Sequence, residues 1–255
     1  MKNLSLLAII ATIFIFSACS KNNTSNTTVN STGLFEFHMH TMVDTNEVDT
    51  YGLPYIMTGG RKISVNIAQL YISNVQLLGA NNTVLYTIPN SYALKVMQTE
   101  PVPIGQVPAG NYTSVRFTVG LDSIANTKTP ASNDSTFNQP KMWFGNTAQP
   151  GGYVFINFQG NIDTTRSATG NNLVPFAYKI GTNANKCTVT MPAQAFTVIG
   201  TQTQLVHLLI DYNKLFTGID LTNPANLTLT TSAANSSALG KQLAKNIPLM
   251  FSYEH

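Results

Sequence analysis

Charge is scarce in this chain: Asp, Glu, Lys and Arg make up 10% of its 255 residues, against about 25% in ordinary globular proteins. The Lys and Arg are scattered, so the formal charge of +3 gathers into no basic patch, which argues against a nucleic-acid partner. Tryptophan occurs once and cysteine twice. No apolar run is long enough to cross a bilayer comfortably: the longest, Leu4 to Phe16, has about 13 residues against a hydrocarbon layer of about 30 Å. Catalytic signatures are missing too. There is no G-x-S-x-G elbow, no phosphate-cradling Gly-Lys-Ser/Thr loop, no H-E-x-x-H and no C-x-x-C pair. Acidic residues are too sparse to nominate a carboxylate pair. These absences favour a binding protein over an enzyme.

Neutral polar residues take the place of charge. Asn and Thr together make about a quarter of the chain, well above ordinary usage. Both are poor helix formers and common in turns or strands. With 43% hydrophobic residues the chain is too apolar for wholesale disorder.

The N-terminus has its own logic. A positive start, Met1-Lys2-Asn3, precedes the apolar run, and Phe16-Ser17-Ala18-Cys19 follows it. Small residues before a cysteine look like a bacterial lipobox; an ordinary secretory signal peptide is the alternative. By analogy with bacterial lipoproteins, residues 1–18 are removed and Cys19 is acylated, which anchors the chain to a membrane. Residues 19–32, almost purely polar, form a flexible tether. Residues 33–255 form a single domain in the cell envelope, at the periplasmic face or the cell surface. Lipidation of Cys19 leaves Cys187 alone, so no internal disulfide forms. Cys187 is either a small buried hydrophobe or a soft metal ligand.

Alternation dominates the rest. Phe35, Phe37 and Met39 fall on one face of a strand, Glu36, His38 and His40 on the other. Residues 63–78, 112–119, 153–158, 188–198 and 205–210 give further strand patterns, punctuated by Gly, Pro and Asn. Short helical turns are expected over 211–216 and 237–244, and residues 223–231 are ambiguous. The expected fold is all-β, an antiparallel β-sandwich with one or two short helices. Residues 124–149 form a long irregular loop pinned over the sandwich by Phe137, Trp143 and Phe144.

The chemistry on offer is histidine. In His38-Met39-His40 a side-chain period of two puts both imidazoles on one face, about 6.5–7 Å apart at Cα. Two such rings can converge on one ion at about 2 Å each. Glu36 and Met42 share that face. Imidazole suits copper or zinc, and a thioether would shift the preference to Cu(I). The competing reading is two solvated histidines on an edge strand. His207, in a mostly apolar strand, is a third candidate ligand or a packed core histidine. His255 is terminal and expected to be solvated.

The order of segments resembles the MbnP-like family. The pieces are Phe35 to His40, Leu70 to Leu77, Val107 to Tyr112, Phe117 to Ser123, Met142-Trp143-Phe144, Gly152 to Gly160, Ile210 to Phe216 and Ala244 to Phe251. The resemblance implies a secreted β-sandwich that binds copper rather than turning over a substrate. It implies that a histidine of the first strand, His38 or His40, is a ligand. Together with the same-face pair this gives a copper-binding reading with His38 and His40 as core ligands and His207 or a methionine as a third. It also implies a dihaem partner enzyme that oxidises a tryptophan to kynurenine, for which Trp143 is the one residue available. Where the family usually has a histidine before an Ile-Gly pair, this chain has Lys179. A protonated lysine has no acceptor and cannot ligate. A lipoprotein binding module that lost the metal, presenting the long loop to a protein or glycan, is the alternative from another class.

Overall fold

The computed structural model describes residues 31–130, 135–145 and 151–254. The leader, Cys19 and most of the expected tether lie outside them, as does His255.

Two sheets carry the architecture. The smaller comprises β1 (Thr32–Val43), β2 (Asn46–Glu47), β7 (Pro101–Pro108), β14 (Thr203–Asp211) and β16 (Phe251–Tyr253), in the order β16-β14-β1-β2, with β7 also on β1. The larger runs β12 (Cys187–Thr190), β9 (Ser114–Val119), β4 (Lys62–Leu78), β10 (Val154–Asp163), β11 (Leu173–Gly181), β15 (Thr228–Leu229). On β4 also pair β3 (Pro54–Ile56), β5 (Val84–Thr87) and β6 (Ala93–Lys95). A small ribbon joins β8 (Gly110–Tyr112) to β13 (Phe196–Val198).

The sheets meet through the faces that alternation predicts. Phe35, Phe37 and Met39 of β1 are fully buried in the main core with Phe117 and Phe158 of the larger sheet. Phe37 meets Phe117 edge-on at 5.6 Å between ring centroids, one of the contacts that join the layers. Each such ring contributes about 1.5–3 kcal/mol by leaving water. The fold is therefore the expected all-β sandwich. Its one α-helix among the described residues, α1 (Ala238–Asn246), is capped by the Ser237 side chain, which accepts from the Gly240 amide. The expected turn after β14 is a 3-10 helix over Tyr212–Phe216.

Three features refine the expectation. First, not every pairing is antiparallel: β1 runs parallel to β14, and β11 to β15. Second, the run expected over 188–198 breaks into β12 and β13 around Pro192, which has no N–H for a ladder. Third, Pro101, Pro103 and Pro108 sit in β7, which pairs only with β1 and so tolerates missing donors.

The loop after residue 124 packs as expected. Phe137 is buried in a second apolar cluster with Tyr71, Met142 and Tyr153, and Trp143 and Phe144 pack against it partly buried. Trp143 forms an isolated bridge with Tyr153, and its indole Nε1 is buried with no hydrogen-bond partner among the described residues.

Candidate metal centre

The outward face of β1 carries Leu34, Glu36, His38, His40 and Met42, because its inward face is fully used by the core. The parallel register sets His38 directly opposite His207 of β14. β16 pairs antiparallel with β14, Leu208 opposite Tyr253. The ladder runs on by one bond, from the Glu254 amide to the His207 carbonyl at 3.4 Å, which places Glu254 beside His207. Three neighbouring strands thus deliver four side chains to one spot on the outside of the smaller sheet.

One ligand atom from each of His38, His40, His207 and Glu254 can be chosen so that all lie within 4.8 Å of one another. His38 Nδ1 is 3.1 Å from His207 Nδ1. His207 Nδ1 is 3.0 Å from Glu254 Oε2, and His40 Nε2 is 3.3 Å from the same oxygen. Metal–nitrogen bonds of about 2.0–2.1 Å around a tetrahedral ion put neighbouring ligand atoms about 3.3 Å apart. These spacings match.

The protonation pattern argues in the same direction. His40 Nδ1 donates to Glu47 Oε1 at 2.6 Å. In a neutral ring Nε2 then carries a lone pair. That atom is buried and has no hydrogen bond among the described residues, although Glu254 Oε2 stands nearby. A protonated His40 would pair with that carboxylate, and a metal ion shared by the neutral ring and the carboxylate would satisfy both atoms. Burial, then the neighbouring His207 and His40, hold His38 below its usual pKa, with Glu254 and Glu100 pulling the other way. A lowered pKa keeps a ligating ring neutral further into acid. The His40 hydrogen bond keeps Glu47 below the usual glutamate range. A carboxylate on the far nitrogen of a ligating histidine fixes its tautomer and its orientation.

The surroundings are acidic although the chain is not. Its four glutamates are Glu36, Glu47, Glu100 and Glu254. Glu36 shares the outward face of β1, Glu47 holds His40, Glu254 is in the cluster and Glu100 acts electrostatically on His38. The site is one-sided: the His40 side chain is 14% exposed, while His207 is 46% exposed.

Beneath it lies a buried cation. Lys95 is 1% exposed, and its Nζ donates to Thr41 Oγ1 at 3.2 Å, Met97 O at 3.1 Å, Gln98 O at 2.7 Å and the Val96 carbonyl. It ties the larger sheet to β1 and holds the segment leading to Thr99, whose hydroxyl donates to Glu47 Oε1 at 3.1 Å. Lys95→Met strands those carbonyls, and a loss of about 2–4 kcal/mol is expected in a denaturant melt at pH 7. Burial pushes Lys95 down to about 8 from 10.5, with Glu47 opposing. Between those values the unfolded chain holds a proton that the folded one releases. Wild-type stability should therefore rise with pH across that window relative to Lys95→Met, by up to about 3 kcal/mol. A flat difference would show that the carbonyls keep the ammonium charged.

The other sequence candidates lie elsewhere. Trp143 belongs to the second apolar cluster, Cys187 pairs with Val119 at the far edge of the larger sheet, and Lys179 sits on β11 of that sheet. Sequence reasoning brought forward His38, His40 and His207 but missed Glu254 and Glu47. No periodicity links them to the histidines; only their rarity in a glutamate-poor chain was a signal.

A family model described as MbnP matches residues 32–232. That span includes the three histidines and stops before Glu254. Among solved structures, MbnP from Methylosinus trichosporium superposes with a TM-score of 0.51 at 15% identity, covering 75% of this chain and 80% of that one, a likeness of fold alone. No curated protein matches. The family model covers most of the chain and the sandwich fold agrees with it: the chain belongs to the MbnP family.

Proposed function

We propose that this chain is an extracytoplasmic copper-binding protein, tethered to a membrane through an acylated Cys19, that holds the ion rather than turning over a substrate. The observation that carries the reading is the convergence of His38, His40, His207 and Glu254, whose ligand atoms lie within 4.8 Å of one another, with His40 Nε2 3.3 Å from Glu254 Oε2. Three imidazoles and a carboxylate would hold a borderline ion such as Cu(II) or Zn(II), and copper binds such donors more tightly. Glu254 would act as the fourth donor. Among the described residues no helix is long and apolar enough to cross a membrane. Trp143 is the candidate for oxidation by a dihaem partner enzyme, a role that rests on the family resemblance.

Copper titration of the purified chain tests the proposal. One Cu(II) per chain is expected, and Glu254→Gln, which keeps the shape but removes the anionic donor, should bind at least about tenfold more weakly, about 1.4 kcal/mol. Equal affinity of the two proteins would remove Glu254 from the site, and no binding to the wild type would end the reading.

A further inference from the structure

Beside the cluster, a cleft of about 340 Å³ opens along β14. Its apolar walls include Phe196, Leu205 and Val206, with Gln194 at one side, and it ends at His207 and Glu254. The topology explains the gap. β16 covers β14 only from Leu208 to Ile210, and β13, which follows the break at Pro192, pairs with β8 rather than extending over β14.

We infer that the metal centre takes an exogenous ligand in this cleft, a small flat heteroaromatic nitrogen donor of the imidazole type. The inference rests on the proposed copper site and adds to it a second component. The two donors that border the cleft are the outer ones, His207 at 46% exposed and Glu254 at 40%. The cleft therefore meets the cluster at its two more exposed donors, whereas His40 is the more enclosed one. A volume near the lower end of ligand pockets, about 300–1,000 Å³, suits one or two rings. Phe196 and Leu205 offer apolar contact to a ring face. The Gln194 side chain, exposed and without a hydrogen bond among the described residues, can meet the ring's second nitrogen. Borderline ions favour imidazole over hard oxygen donors, which selects a nitrogen ligand over a simple carboxylate.

The test uses the full chain loaded with one Cu(II) and titrated with imidazole, followed by electron paramagnetic resonance and the visible d–d band. A saturable change with one added nitrogen ligand is expected while copper stays bound. Leu205→Trp fills the cleft with a neutral side chain from an exposed position (38%). It should weaken imidazole at least tenfold and leave copper affinity within about twofold. Gln194→Trp, from the other side, should do the same should Leu205→Trp fold poorly. Imidazole that binds both variants like the wild type, or that strips copper without a ternary complex, overturns the inference and leaves the copper site standing. A wild type that binds no copper ends both.

Discussion

A chain carrying His38→Ala and His40→Ala together should bind copper at least about a thousandfold more weakly than the wild type, about 4 kcal/mol at 1.4 kcal/mol per decade. The double change removes two of the four converging donors and also the ring that Glu47 holds in place. It should leave the fold intact. Both side chains point out of β1, while Phe35, Phe37 and Met39 on the inward face keep every core contact. The apo variant should lose at most about 1–2 kcal/mol, or a few degrees of melting temperature, since it gives up the Glu47 hydrogen bond and no core contact. With copper at a hundred times the dissociation constant, the wild type should gain about 2.7 kcal/mol and the double variant almost nothing. Isothermal titration and thermal melts with and without copper measure both quantities. Equal copper affinity in the two proteins would show that the cluster does not hold the ion.

Gly160→Ala should cost the fold at least about 4 kcal/mol, or about 8–16 °C of melting temperature for a chain of this size. A Cβ added at Gly160 of β10 would lie 1.9 Å from the Ser64 carbonyl oxygen of β4 and 3.0 Å from the Phe176 ring. The first obstacle is backbone and cannot rotate away. The pairing of β10 with β4 shifts register at this point, Gln159 opposite Ile67 and Gly160 opposite Val65, so the bulge brings the chains together where only a hydrogen fits. β10 and β4 are the central strands of the larger sheet. Relief there would have to open the ladder that supports Phe158, and with it the main core. A melting temperature within 3 °C of wild type would show that the strands can part locally at little cost.

The contrast between these two sites shows where legibility ended. The role of β1 could be read from its residues, since alternation of period two sorts Phe35, Phe37 and Met39 from His38 and His40 whatever the partner strands. The short helical turns expected over 211–216 and 237–244 are found after β14 and near the C-terminus. β7 was not, because its prolines forbid a central strand and only its edge position makes them harmless. Lys95 closes a strand pattern no different from its neighbours', and its burial depends on carbonyls that the following turn happens to aim at it. Gly160 could be noticed as a glycine inside a strand, but the atom that forbids a side chain belongs to a residue 96 positions away.

By itself the sequence determined the strand faces, the same-side pair His38 and His40, and the all-β character, because those follow from dihedral preferences and side-chain period over a few residues. Only the tertiary structure decided that His207, 169 residues along the chain, stands opposite His38, that Glu254 completes the cluster and that Glu47 orients His40. The reason is register: a parallel pairing between distant strands is chosen by the whole buried face at once, and a slip of one residue would turn His207 into the core.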